Sequence, residues 1–220
     1  MFYVNPQYTS AIDPTTGYID EYKPKPYESI EKSREYIKKE LKSFKYNSSD
    51  CDFEIVPAKG GFTVCARGEH IASVKEGGIW KSEKIEDLAK KFRDLFDGNN
   101  IEYVDGQCLK KQIIEQTDAP FFKSLLWFLK IAFGLRNTAT GEETDYILSP
   151  VRNKDGKFFD TREEGKVANA KLPICGDANG AYNIALKGLM AIKQIQRGDK
   201  KYDVDREKWL GFVKTKMGEF

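Results

Sequence analysis

The chain has 220 residues, a length that accommodates one large domain or two small ones. Its 36 basic and 34 acidic side chains nearly cancel, so binding to nucleic acid would depend on basic groups that lie close together on the surface. Four widely spaced cysteines and one histidine exclude a zinc ribbon, which needs four Cys or His ligands in closely spaced pairs.

The first half of the sequence is predicted to mix helices with short strands. Residues 1–27 contain several prolines, and residues 13–17 (Asp-Pro-Thr-Thr-Gly) form a turn sequence, so this segment is expected to be irregular. Apolar residues at spacings of three and four predict a helix over 28–44 and another over 82–96, with Ser82 as N-cap. Between these helices lie three predicted strands, at residues 52–56, 61–66 and 71–74.

The second half begins with a strongly apolar segment at residues 119–135. Apolar side chains surround this predicted helix almost completely, so we expect it to be the centre of the domain core. Lys123, Ser124 and Lys130 interrupt it, which indicates a buried helix and not a membrane span, and no membrane partner is expected. The remaining predicted elements are a helix at 109–116, a strand at 146–151, a hairpin turn at 153–157 leading into 158–160, a helix ending near Gln196 and a last helix starting near Asp205.

These elements predict an α+β fold in two parts. Residues 1–160 would form a mixed domain of helices and short antiparallel strands. Residues 161–220 would follow as a linker, 161–173, and a C-terminal helical segment too small to fold alone. Well-separated cysteines in a sequence without a signal peptide fit free thiols in a reducing compartment, and therefore a cytoplasmic protein.

The sequence around Asp177 carries the clearest chemical signal. Asp177 is followed by the small residues Ala178 and Gly180 and by an amphipathic helix, which places a carboxylate at or just before a helix N-terminus. Nucleases of the RNase H type use carboxylates from separate chain segments to hold two Mg²⁺ ions. From the residues alone, Asp177 is either such a metal ligand or the N-cap of the helix, since Asp is a favoured cap.

Residues 176–188, which begin Gly-Asp-Ala-Asn-Gly-Ala-Tyr-Asn-Ile-Ala, resemble the third RuvC motif of the type V-A CRISPR effector nucleases, the Cas-twelve-a or Cpf family. Other blocks resemble the Nuc domain of that family and follow one another in the same order as there. They lie at residues 2–4, 8–10, 12–18, 63–71, 135–137, 140–141, 145–147, 149–151, 156 and 159–162. The resemblance covers nearly the whole chain, and the ordered set is far more specific than any single block.

The resemblance implies roles for four residues. Asp177 would be the third RuvC carboxylate and a direct metal ligand. Arg136 matches the Nuc-domain arginine that the family places beside the RuvC centre, where a guanidinium fork suits a phosphate. Without the family, Arg136 is a basic residue near a helix C-terminus, where the helix dipole favours it. Asp145 would orient Arg136 or cap a turn, and Asn137 would have a similar supporting part.

The implied cofactor is Mg²⁺, in a two-metal site that residues outside this chain complete. The sequence has no candidate for the first two RuvC carboxylates, which the family carries upstream, so Met1 is expected to mark a natural or artificial truncation. The family also commonly has an acid where this chain has Cys175. The expected partners are the upstream RuvC segments, the target and non-target DNA strands, and CRISPR guide RNA bound through the rest of the parent protein.

The function that the resemblance implies is that of one part of an RNA-guided DNA endonuclease in the cytoplasm of a bacterium or archaeon. This part would position single-stranded DNA and give one metal-binding carboxylate to phosphodiester hydrolysis, and it would be inactive or nearly so alone. An alternative is a non-catalytic module that binds and loads single-stranded DNA, and a third is a folded fragment without independent function.

His70 is expected in a surface turn. The three tryptophans are expected to be packing residues, because nothing in the sequence singles out one of them for stacking on bases.

Overall fold

The computed structural model describes residues 6, 9–20, 22–49, 51–137, 145–198, 208, 211 and 212. The chain divides into two compact units: Met1–Ile19 with Leu135–Phe220, here called the terminal unit, and Asp20–Gly134, the central unit. Both combine helices with short antiparallel strands, which confirms the α+β class. The domain boundary after residue 160 stays a prediction.

The central unit opens with helix α1, Ile30–Glu40, which passes directly into strand β1, Leu41–Asn47. Ser29 caps the helix, since its side chain accepts a hydrogen bond from the Lys32 backbone N–H at 3.2 Å. The predicted helix over 28–44 is therefore wrong in its last turn. Residues from Leu41 onward pair with a neighbouring strand, and that pairing outweighs their helical spacing.

Strand β1 belongs to a three-stranded antiparallel sheet with β2, Asp52–Pro57, and β3, Val64–Cys65. The sheet packs against helix α2, Leu88–Asp97, through a cluster of phenylalanine rings. Ring centroids within this cluster lie 5.3–6.0 Å apart, in the range of favourable aromatic pairs. Its members, all fully buried, are Phe44, Phe53, Phe92 and Phe96.

Strands β4, His70–Glu76, and β5, Ile79–Ile85, form a separate antiparallel hairpin. Gly77 and Gly78 both have positive φ, 58° and 87°, as a two-residue turn between twisted strands requires. The predicted helix over 82–96 is therefore wrong in its first part, because residues 79–85 pair with 70–76. The helix α2 starts later, after Asp87, whose carboxylate accepts from the Lys90 backbone N–H at 3.1 Å.

The central unit ends with helices α3, Lys110–Glu115, and α4, Ala119–Ala132, both close to their predicted positions. Asp118 caps α4 by accepting from the Phe121 backbone N–H at 2.9 Å. Seven residues of α4 are buried, so the prediction of a buried core helix is confirmed. Among the described residues, no helix is long and apolar enough to cross a membrane.

Two predictions about single residue types are wrong in the central unit. Cys51 and Cys65 are joined as a disulfide, because the pairing of β2 with β3 brings their Cα atoms to 5.5 Å. Cys108 and Cys175 are free thiols. His70 is not a surface turn residue: it is 5% exposed at the start of β4, and its Nε2 lies 2.9 Å from the Arg67 carbonyl oxygen.

The terminal unit contains strands β6, Arg136–Asn137, β7, Tyr146–Arg152, and β8, Phe158–Asp160, in one antiparallel sheet. A short helix α5, Thr161–Glu164, begins inside the predicted linker. Helix α6, Gly176–Gln196, packs against a 3₁₀ turn at Thr9–Ala11. The start of the last predicted helix, near Asp205, lies outside the described residues.

Candidate active site at the start of helix α6

The first turn of α6 carries the predicted catalytic carboxylate. Cys175 is the N-cap, since its Sγ accepts from the Ala178 backbone N–H at 3.4 Å and its carbonyl accepts from the Asn179 N–H at 3.0 Å. Asp177 is therefore the second residue of the helix, and the reading of Asp177 as N-cap is wrong. Its side chain is 91% exposed. The positive end of the 21-residue helix stabilises this carboxylate in its charged form, and its exposure leaves it accessible to a cation.

Gly176 fixes the position of this turn against the sheet. Its backbone N–H donates to the Asp145 carbonyl at 2.8 Å. A Cβ at residue 176 would lie only 3.1 Å from the Asp145 Cβ and 3.2 Å from the Asp145 carbonyl oxygen. The close approach of α6 to the beginning of β7 thus depends on the absence of a side chain at residue 176.

Replacing Gly176 with Ala should therefore destabilise the chain relative to a matched control. In Gly180→Ala the new Cβ would meet only ordinary contacts, 3.7 Å from the Ser10 Cβ, and Ala favours a helix over Gly. We expect the free energy of unfolding of Gly176→Ala to be lower than that of Gly180→Ala by about 1–3 kcal/mol. Urea unfolding of the two variants measures this difference, and equal stabilities would show that the contact at residue 176 is not tight.

The structure brings Arg136, Asp145 and Asp177 together. Arg136 Nε donates to Asp145 Oδ2 at 2.8 Å, and Arg136 Nη2 donates to the same oxygen and, at 3.4 Å, to Asp177 Oδ1. Asp145 is the more enclosed carboxylate, with a side chain 20% exposed, and that of Arg136 is 34% exposed. The resulting cluster has one cation, two carboxylates and an open side at Asp177.

Asn137 takes a different position from the other three predicted site residues. It is 2% exposed, and its Nδ2 donates to the Leu135 carbonyl at 3.5 Å. Because successive side chains of a strand point to opposite faces, Asn137 and Arg136 lie on opposite faces of β6. The structure therefore places Asn137 in the buried part of the terminal unit, and a supporting role in the site stays a prediction.

Two buried asparagines in α6, which the sequence analysis missed, hold the helix in place. Asn179 Nδ2 donates to the carbonyls of Ser10 and Ile12 at 3.2 and 2.9 Å. Asn183 Nδ2 donates to the Thr9 carbonyl at 3.0 Å. Both asparagines are fully buried. Two asparagines four positions apart in a helix interior, where Asn is a poor helix former, are the sequence signal from which this anchoring role could have been predicted.

A buried acid, Asp13, ties the same N-terminal segment to the sheet. Its carboxylate accepts from the backbone N–H groups and hydroxyls of Thr15 and Thr16. It also accepts from the Ser149 hydroxyl at 2.6 Å. These five donors satisfy a fully buried carboxylate, so the predicted turn at 13–17 is a rigid anchor for the terminal unit.

The cluster fits a metal ion only as part of a larger ligand set. Within the described residues, no group of three or more His, Cys, Asp or Glu side chains is gathered as a metal site. Asp145 is engaged by Arg136, whereas Asp177 presents exposed carboxylate oxygens, the hard ligands that Mg²⁺ prefers. Asp177 therefore fits as one ligand of Mg²⁺, and the other ligands would come from outside the described residues.

The class of this domain follows from a comparison with known families. Residues 12–163, well over half of the chain, match the family model described as a nuclease domain, Nuc. The chain belongs to this family, which is the Nuc domain of type V CRISPR effectors. Arg136 and Asp145 lie inside the matched residues. Asp177 lies beyond them, so the assignment of residues 176–188 to a third RuvC motif stays a prediction.

Proposed function

We propose that this chain positions single-stranded DNA in a CRISPR RNA-guided DNA endonuclease and supplies Asp177 as a metal-binding carboxylate for phosphodiester hydrolysis. The observation that carries the proposal is the contact of Arg136 with both Asp145 and Asp177. This contact joins Arg136, which lies in the Nuc family region, to the carboxylate of Asp177, which lies after that region. Arg136 and Asp177 lie 41 positions apart in the sequence, and the sequence predicts each of them as a site residue.

In this proposal Arg136 binds a phosphate of the scissile strand. Asp145 holds the guanidinium, because Nε and Nη2 of Arg136 both donate to its Oδ2. The Arg136 side chain is thereby already restricted, so it loses less rotamer entropy when it binds a phosphate. Among the described residues, Arg136 forms its hydrogen bonds through Nε and Nη2, and none through Nη1. Its two N–H groups suit a phosphate oxygen, because charge-assisted hydrogen bonds to phosphate are about twice as strong as neutral ones.

Asp177 would hold a divalent cation next to that phosphate. When bound, Mg²⁺ supplies the activation of water and the stabilisation of the leaving oxygen. The contact of 3.4 Å between Arg136 Nη2 and Asp177 Oδ1 is the longest and weakest of the three hydrogen bonds that Arg136 makes to the two carboxylates. Asp177 can therefore exchange it for a cation while Asp145 keeps the guanidinium in place.

An exposed apolar face of α6 supports upstream RuvC segments as a partner. Ile184, Ile192 and Ile195 are 36%, 41% and 47% exposed, and at ~100° per residue they lie within about 80° of one another around the helix. Leu189, 39% exposed, extends this face. A contiguous apolar surface of this kind marks a protein interface, and a RuvC sheet would cover it.

The test is complementation. The chain is mixed with the upstream portion of a type V effector and its guide RNA, and Mg²⁺-dependent cleavage of target DNA is measured. The proposal predicts cleavage only when the chain is present and only with the Asp177 carboxylate. Equal cleavage with Asp177→Ala would remove the catalytic assignment.

A non-catalytic loading module is the second candidate. It is favoured by the end of the family match at residue 163, which leaves Asp177 outside the matched residues. In that case the isolated chain binds single-stranded DNA in a salt-dependent manner, and Arg136→Ala weakens binding, while Asp177 variants cleave normally in the complemented complex.

A further inference from the structure

We propose that one face of the β4–β5 hairpin is a binding surface for single-stranded DNA, on which Trp80 stacks against an unpaired base. The inference deepens the proposed function by assigning a contact surface to the DNA strand, and it rests on that function. The prediction that Trp80 is a packing residue is wrong, because Trp80 is 68% exposed.

The register of the hairpin determines which side chains share a face with Trp80. Directly opposite pairs are Lys75 with Trp80, Ser73 with Ser82, and Ile71 with Lys84. Opposite residues of an antiparallel pair, and alternate residues of each strand, point to the same side. The face therefore consists of Ile71, Ser73, Lys75, Trp80, Ser82 and Lys84, here called the Trp80 face.

The Trp80 face is open and basic. All of its residues except Ile71 are exposed, and Ile71 is half-buried. It has two lysines and no carboxylate among its six side chains, whereas Glu83 is paired with Ala72 on the other face. Glu69, outside the strands, neutralises part of this charge by pairing with Lys84 at 3.1 Å. On a chain whose charges nearly cancel, such a local excess is what phosphate binding requires.

The opposite face of the hairpin is buried only at the base of the two strands. His70, Ala72 and Ile85 are buried there, whereas Ile79, which lies on the same face next to the turn, is 66% exposed. Trp80 therefore lies in a part of the hairpin that is exposed on both faces, where an indole ring gains no burial from the fold.

The arrangement suits a nucleic acid strand better than a protein partner. A base stacks on an indole ring whatever its sequence, and lysines beside the ring pair with the flanking phosphates. Lys75 Nζ lies 5.9 Å from the centre of the Trp80 ring, an exposed cation–π contact that is weak and easily exchanged for a base. Protein interfaces, in contrast, are depleted in lysine around their aromatic anchors.

The spacing along β5 accommodates a strand that lies parallel to it. Trp80 and Lys84 are four residues apart, about 13 Å at the rise of an extended strand. Ser82 lies between them on the same face and offers a hydroxyl to a phosphate. One base can therefore stack on Trp80 while Lys75, directly across the hairpin, and Lys84, further along the same face, are available to phosphates of the same DNA strand.

The test is the binding of the full chain to a labelled oligo(dT) of about 15 nucleotides, measured by fluorescence anisotropy at low salt. Trp80→Ala should raise the Kd about fivefold to a hundredfold, the range found for loss of one base–aromatic stack. Ile79→Ala is the matched control: Ile79 is the neighbouring residue, 66% exposed, on the other face. It should change the Kd less than twofold. Equal effects of the two variants would overturn the proposal.

Direct evidence of stacking comes from the fluorescence of Trp80 itself. The chain has three tryptophans, so Trp127→Phe with Trp209→Phe leaves Trp80 as the single emitter. Oligo(dT) should quench this emission with the Kd measured by anisotropy. Lys75→Ala and Lys84→Ala should each reduce the slope of log K against log salt by about 0.7. Absence of quenching would overturn the proposal.

Two further results separate this inference from its alternatives. Binding through Trp80 to oligo(U) but not to oligo(dT) would contradict a DNA surface. Intact oligo(dT) binding by Trp80→Ala, with loss of assembly with the upstream portion, would make the hairpin a protein contact and overturn the proposal. The inference and the proposed function are tested independently. DNA binding by Trp80 variants tests the hairpin surface, and DNA cleavage with Asp177 variants tests the proposed function.

Discussion

Asp177→Asn is expected to reduce Mg²⁺-dependent cleavage by the complemented complex at least about a hundredfold. A catalytic metal ion stabilises the charge of the transition state by several kcal/mol, and each 1.4 kcal/mol that is lost slows the reaction about tenfold. The substitution keeps the size of the side chain and removes its negative charge. Since the side chain is 91% exposed, the free energy of unfolding should change by less than about 0.5 kcal/mol. Single-turnover cleavage and urea unfolding of the same preparations measure both effects.

A ligand role also predicts a change that a purely structural role does not produce. The Mg²⁺ concentration for half-maximal cleavage should rise in Asp177→Asn, while the Kd for oligo(dT) should stay within about twofold, since the stacking and phosphate contacts that carry this binding are untouched. Asp155→Asn is the matched control, because Asp155 is an exposed aspartate in the β7–β8 turn of the same unit. Wild-type cleavage by Asp177→Asn, or an equal loss in Asp155→Asn, would contradict the assignment.

The elements that the sequence predicted well are those with strong local signals. Helix α4 has a capping aspartate, a proline in its first turn and a continuous apolar pattern, and the β7–β8 hairpin has a turn sequence with Gly156 at positive φ. The predicted helices over 28–44 and 82–96 wrongly include the first part of β1 and the second part of β5. In both, the spacing of apolar residues was compatible with a helix, and pairing with β2 and β4 decided otherwise. Such pairing depends on partners elsewhere in the chain.

The candidate site shows the same division between local and distant information. Arg136, Asp145 and Asp177 were predicted from a family resemblance, and they meet in the structure. Asn179 and Asn183 were missed because their acceptors, the carbonyls of residues 9–12, precede them by 167–174 positions in the chain. The exposure of Trp80 and the burial of His70 were likewise not predictable. Both depend on the course of one hairpin, part of which the sequence pattern predicts as helix: His70 lies at its buried base and Trp80 next to its exposed turn.

Arg136 should be the second most sensitive residue of the site. Removal of one donor that stabilises developing charge typically costs about 10²–10³ in kcat, so Arg136→Ala is expected to slow cleavage about a hundredfold. Arg136→Lys should recover only part of this loss, because lysine keeps the charge and loses the fork that contacts Asp145. Arg197→Ala is the control, since Arg197 is exposed at the other end of α6, about 30 Å away along the helix.

Asp145 is expected to act through Arg136, and a double-mutant cycle can demonstrate it. Asp145→Asn should slow cleavage about tenfold, as for residues that orient a functional group, because the guanidinium loses the charged oxygen that holds it. In the Arg136→Ala background the same substitution should have almost no further effect on the rate. If the two losses multiply instead, Asp145 acts independently of Arg136, and the contact at 2.8 Å has no part in the reaction. The cycle thus decides whether the best-defined interaction of the site positions the phosphate-binding group.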